Sequence, residues 1–450
     1  MDIHPSLNPY VNDLPLKTLI FLIITLFQCL GDIPKLKCRV KECNIIRKLY
    51  MRIGSLSFSS NIISPLVPYL LVKSGGGTFE TGLFQALNNL SGNIGQVVWG
   101  WISDVSGKRR IMLLLTCISV LFSSLSYLIL MLLNIMSPYT IIAVSTLSSL
   151  LASASAPVIA SIIADIVHPS IRNHVYATHS NISNIAIIIG NIFSMIILSY
   201  IVGEKGFTII LLLSIIMSGI SLFFTFSLPS YIDKGKVLSI KSVINGYRDM
   251  LNPLRNNMFR VFLHVNTLYN LLLSMAWPLF PISQIKIIKM SPSQIMLLSL
   301  ASNATIILGQ YYAGRYISRE RYRLWALVNR LGLVIVPIVY AFSESPYPLY
   351  VLNVYTGILS GIGNVIFVMY IVDIAPSNER TTYIGFYNTA LGLASFVGSF
   401  TGGIISAVLM NIYGEEQGLR ITYYICTLAR LIGAINAYRS REFIISKKAL

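Results

Sequence analysis

Asp104 and Arg109 flank a glycine in the run Gly100-Trp101-Ile102-Ser103-Asp104-Val105-Ser106-Gly107-Lys108-Arg109-Arg110-Ile111, a polar gap between two long apolar stretches. A carboxylate at a helix terminus bonded to a guanidinium is a charge-assisted contact. Gly100 and Gly107 allow close backbone approach and a sharp turn. That chemistry fastens and releases; it does not cleave bonds. His179 and His264 titrate near neutral pH and are the candidates for carrying a proton, although each also fits ordinary helix packing. No GxSxG, no HExxH and no pair of carboxylates at membrane depth is present, which argues against a membrane-bound enzyme. Cys29, Cys38, Cys43, Cys117 and Cys426 form neither a disulfide framework nor a four-ligand metal set, so no metal and no cofactor is expected.

The elements that position these groups must be membrane helices. With 54% hydrophobic and 11% charged residues and a mean hydropathy of +0.70, the chain is too apolar for a soluble domain. Twelve runs of about 20 or more apolar residues can be read along it, from 49–72 to 419–438, and lipid leaves the backbone no alternative to helix. Lys108, Arg109, Arg110, Arg172, the cluster from Lys234 to Arg260, Arg315 to Arg323 and Arg380 all fall in alternate loops. The charge rule makes that side cytoplasmic, with both ends of the twelve-helix core there too. The net charge of +17 then needs membrane lipids as partner and no nucleic acid. Residues 1–48 stand apart: Thr18 to Leu30 is apolar but short, and basic residues follow it rather than precede it. A signal-like segment, a surface helix, a thirteenth span and a start codon placed too far upstream, with Met51 the true start, are all open; the surface helix and the misplaced start fit the charge order better.

The chain repeats itself. Asp165, Arg172 and Gly190 recur as Asp373, Arg380 and Gly398 at one constant offset of 208 positions (373 less 165), and Gly100 and Arg109 recur as Gly314 and Arg323 at 214 (314 less 100). Two six-helix bundles are therefore expected, 49–229 and 259–440, joined by a basic linker at 230–258 and followed by a tail at 441–450.

The spacing of Gly100, Asp104, Gly107, Lys108 and Arg109, with Arg110 following, resembles the loop between the second and third spans of the major facilitator superfamily, although Val105 stands where a basic residue is often found. Loop position, span count and the repeat agree with the same family. The resemblance implies an all-α polytopic fold of twelve transmembrane helices in two pseudo-symmetric bundles, and a loop acting as a conformational latch. It implies gate charges at Asp165, Arg172, Asp373 and Arg380, for which a purely topological role is an equal alternative. In that family the first, second, fourth and fifth spans of each half line the cavity. The candidates for solute contact are then Asn61, Asn88, Asn184, Asn266, Tyr269, Asn270, Asn303, Asn364 and Asn388, each of which could instead bridge helices. Arg330 and Arg430 lie within apolar runs, and Arg330 is expected to snorkel to the inner surface. The expected function is alternating-access secondary transport of a small organic solute, with protons as a possible co-substrate in export, by a monomer in the plasma membrane. An uncoupled facilitator and a non-transporting sensor or scaffold are the alternatives.

Overall fold

A computed structural model describes residues 40–168, 172–229, 252–376, 379–440 and 442–443. Most of the N-terminal extension (1–39), most of the linker (230–251) and the tail beyond 443 lie outside the described residues. Two compact units divide the chain, Met1–Asn44 and Ile45–Leu450, and the second holds the long helices.

The first span is α1 (Val40–Asn61) continued by α2 (Val67–Lys73), interrupted where Pro65 removes a backbone donor and a 3-10 turn takes over. α3 (Thr78–Ser106) ends at Gly107, whose φ of 64° is the left-handed conformation that glycine adopts without strain. The remaining spans of the first half are α4 (Arg109–Leu132), α5 (Pro138–Ala152) with α6 (Ser155–Ile166), α7 (Arg172–Tyr200) and α8 (Glu204–Phe226). The second half has α9 (Asn257–Ser274) with the short α10 (Leu279–Ile282), then α11 (Pro292–Tyr316), α12 (Tyr322–Phe342), α13 (Pro346–Ile374), α14 (Arg380–Tyr413) and α15 (Glu415–Arg439). The repeat is visible at the links: single left-handed glycines, Gly203 and Gly414, join α7 to α8 and α14 to α15, each followed by a glutamate.

Nine stretches among the described residues are long and apolar enough to cross a membrane on length and composition alone. The second, fourth and seventh expected spans are not among them, for visible reasons. α3 carries the amides Gln85, Asn88, Asn89, Asn93 and Gln96, and the other two spans are broken between α5 and α6 and between α9 and α10. With these three the order of twelve is complete. The break in the fourth span falls at Ser153 and Ala154, and Pro157 sits in the first turn of α6, where a missing N–H is harmless.

Inside each half, hydroxyls and rings both join helices, in different places. In the first, hydroxyls bridge helices: Ser214 of α8 lies 2.9 Å from Ser59 of α1 and 2.6 Å from Ser124 of α4, while Ser119 of α4 lies 2.9 Å from Ser148 of α5. In the second, a ring cluster adds to such bonds: Phe262 of α9 meets Tyr370 of α13 at 4.8 Å and Tyr387 of α14 at 5.5 Å, and Phe259 meets Tyr383 at 4.6 Å.

Candidate functional site

Between the halves, α3 packs along α14 and α7 along α11. Thr81 Oγ1 donates to the carbonyl of Pro278 at 2.9 Å, and Thr78 Oγ1 reaches the Met410 sulfur at 3.7 Å. Gly82 and Gly403 are so close that a Cβ on Gly82 would lie 2.8 Å from the Gly403 Cα. All of these lie at the end opposite the basic loops. Nearer mid-height, Asn191 Nδ2 of α7 donates to Ser299 Oγ of α11 at 3.2 Å, and Gly392 of α14 abuts the Asn93 side chain of α3.

Helical spacing places three candidate amides just past these contacts on the basic side. Asn184 is two turns from Asn191 and Asn303 one turn from Ser299, on the facing stripes of α7 and α11; Asn388 is one turn from Gly392, on the stripe facing α3. Asn388 and Asn364 are exposed, and Asn184 and Asn303 half-buried. Among the described residues Asn303 bonds Ser299 of its own helix alone, at 3.2 Å.

The other amide candidates are engaged within one half. Asn61 and Asn88 donate to carbonyls of their own helices, at Ser57 and Phe84. Asn270 bridges α9 to α14 through the Leu391 carbonyl at 2.8 Å and Ser395 at 2.6 Å. Tyr269 donates to the Arg330 carbonyl at 3.1 Å. Asn266 belongs to a buried charge cluster: its Oδ1 accepts from Arg330 Nη2 at 2.9 Å and its Nδ2 donates to Glu442 Oε2 at 3.1 Å.

That cluster overturns the expectation for Arg330. Its guanidinium is 1% exposed rather than snorkelled, and it makes a two-pronged ion pair with Glu442, with Nη2 to Oε2 at 2.8 Å. Burial raises the Glu442 carboxyl above its ordinary range, while Arg330 and Asn266 pull the other way. Sequence reasoning missed Glu442; the available signal was one acid among Arg439, Arg441, Lys447 and Lys448. Arg430 is satisfied differently, by the carbonyls of Leu333 and Leu273, each at 2.8 Å. Arg52 of α1 is fully buried, with Nη2 on the Leu113 carbonyl at 3.1 Å, Cys117 beside it, and no hydrogen bond to Nε or Nη1 among the described residues.

Of the loop charges, Asp373 pairs with Arg319 at 2.5 Å, and Arg380 acts on it electrostatically. The side chains of Asp104, Asp165 and Arg172 lie outside the described residues. Arg110 donates to the Phe226 carbonyl and lies over the Phe226 ring at 5.8 Å; Arg109 is also engaged, and Lys108 is exposed. Gly100 is half-buried in α3. His179 is buried with no partner for Nε2 among the described residues, and His264 is exposed on α9.

The sequence pattern of the Major Facilitator Superfamily matches residues 53–269 and again residues 262–443. An uncharacterised MFS-type transporter of Methanocaldococcus jannaschii is 27% identical over 111 residues, a stretch covering 25% of this chain and 27% of that protein. The fold is similar to a crystal structure of a bacterial homologue of the human lysosomal transporter Spinster in an inward-facing, unoccupied conformation, with 12% identity, 90% of this chain and 98% of that one covered, and a TM-score of 0.69. It is similar also to the nucleoside transporter NupG (14%, 88% and 99% covered, TM-score 0.66) and to a D-xylose–proton symporter (12%, 92% and 100% covered, TM-score 0.65).

Proposed function

The chain belongs to the major facilitator superfamily, and from that premise we propose that it moves a small organic solute across the plasma membrane by alternating access, with the basic loops on the cytoplasmic side. The observation that carries this reading is the distribution of contacts between the halves. The hydrogen bonds that Thr81, Thr78 and Asn191 make between the halves lie at the far end or near mid-height, a seam about which the halves can rock to open and close the basic end. In this conformation the solute path would face the cytoplasm.

Asn61, Asn88, Asn184, Asn303, Asn364 and Asn388 are the proposed solute contacts, because among the described residues no hydrogen bond commits their amides to another helix of the same half. An amide both donates and accepts, which suits a neutral hydroxyl- or carbonyl-bearing solute. Asn266, Tyr269 and Asn270 are assigned to packing instead. His264, exposed on α9, is the better placed of the two histidines to exchange a proton with the path. The loop around Asp104 and Arg109, with Asp373 and Arg380 in the other half, is proposed to close the basic end when the halves rock together.

The test is reconstitution in liposomes with sugars, nucleosides, amino acids and organic anions, with and without an imposed pH gradient. Uptake against a concentration gradient only when the pH gradient is present establishes coupling, and His264→Gln should then abolish accumulation. Equilibration without accumulation makes the protein an uncoupled facilitator. No flux of any class would overturn the transport reading in favour of a sensor.

A further inference from the structure

Glu442 and Phe443 turn back from the end of α15 into the second half. Three positions after α15 closes at Arg439, Glu442 is only 4% exposed, and its carboxylate spans Arg330 of α12 and Asn266 of α9. Its backbone carbonyl accepts from Tyr370 Oη of α13 at 2.8 Å. Phe443 follows into the same recess, its ring 4.7 Å from Tyr370, 5.7 Å from Phe262 and 6.3 Å from Phe367. The arginine that receives the carboxylate is itself held between two ring faces, Tyr269 and Phe367, each 5.3 Å from its guanidinium carbon. This is a built recess for a carboxylate with an aromatic neighbour, and its occupant is the chain's own tail.

We propose that Glu442 and Phe443 form a terminal strap that ties the basic ends of α9, α12 and α13 together and thereby favours the conformation open at that end. Tyr370 lies one turn before Asp373, whose ion pair with Arg319 grips the same end of α13 from the surface. Closing the basic end requires the ends of α13 and α14 to move toward the first half, and packed interfaces shift between discrete arrangements rather than deform. A segment bound to one arrangement biases the equilibrium toward it by its differential affinity. The tail is covalently tethered three residues from its recess, so its effective concentration there is high. Docking therefore acts as an internal ligand of the open state.

Gly385 provides the readout. It lies two turns on the basic side of Gly392, on the same stripe of α14, is exposed, and has open space where a Cβ would go. Gly385→Cys, with the five native cysteines replaced by serine, is labelled by a maleimide from the basic side in liposomes, in the full chain and in one ending at Ser440. Removing the strap should slow labelling about fivefold as the population shifts to the closed form. Phe443→Ala, which leaves no buried charge unpaired and is expected to fold, should slow it about twofold. Equal or faster labelling in the Phe443→Ala chain overturns the proposal, whether or not the truncated chain folds. The strap rests on the two-state reading given above, but the measurement needs no solute, so a failed flux assay and a failed strap are separate results.

Discussion

Each half of the molecule buries an arginine at similar depth and treats it in opposite ways. The 214-position offset that relates the loops maps Arg52 onto Asn266 and Thr116 onto Arg330 (266 less 52, 330 less 116). The same recess between the first and third spans of each half thus carries its guanidinium on a different wall. In the second half the charge meets Glu442, Asn266 and two rings. In the first, Arg52 has one carbonyl, from Leu113, with Cys117 beside it and His179 close by. A buried charge is tolerable when paired and costly when not. The comparison teaches that the two halves bury a guanidinium at equivalent places, and that among the described residues only the one in the second half meets a counter-ion.

The largest expected effect is on that counter-ion. Glu442→Ala leaves Arg330 buried and unpaired, and should lower stability by about 3–5 kcal/mol, read by thermal unfolding in detergent. Arg52→Met should be neutral or stabilising in the same measurement, because it removes a charge with little to lose; a loss as large as that for Glu442→Ala would show that the two recesses are alike after all. A second contrast is steric. Gly398 and Gly190 are repeat partners, but a Cβ at Gly398 would collide with the Leu271 carbonyl and Ser274, whereas at Gly190 its nearest neighbour would be the Phe58 carbonyl at 3.1 Å. Gly398→Ala should cost about 2–3 kcal/mol and Gly190→Ala under about 1. The hydroxyl bridges come next: Ser214→Ala should cost about 0.6 kcal/mol or slightly more, the usual worth of such bonds in membrane helices. Smallest is Asp373→Asn, which releases an ion pair whose arginine is 62% exposed, and should change stability by about 0.3 kcal/mol or less. Its effect on flux should be the larger one if the pair serves the gate.

Much of the fold was legible because lipid imposes one solution on an apolar run, and because Gly107 marks a sharp turn between two such runs. The offset repeat carried the two-half arrangement. The amides were harder. Asn266, Asn270 and Asn303 look identical in sequence, and only the neighbours supplied by distant helices separate a bridge from an open amide. Arg330 was misread for a related reason: its partner lies more than a hundred residues on, beyond the last helix, where charge counting sees only a basic tail.

α14 runs for 34 residues, from Arg380 to Tyr413. At about 1.5 Å per residue that is about 51 Å of helix, against about 30 Å of hydrocarbon. Such a helix must lean, or carry several turns into the headgroups, and the lean depends on the thickness of the host membrane. Because α14 also packs on α3 across the halves, a thicker bilayer stands it more upright and alters the fit along that seam. Lipid chain length thus becomes a setting for how readily the two halves part.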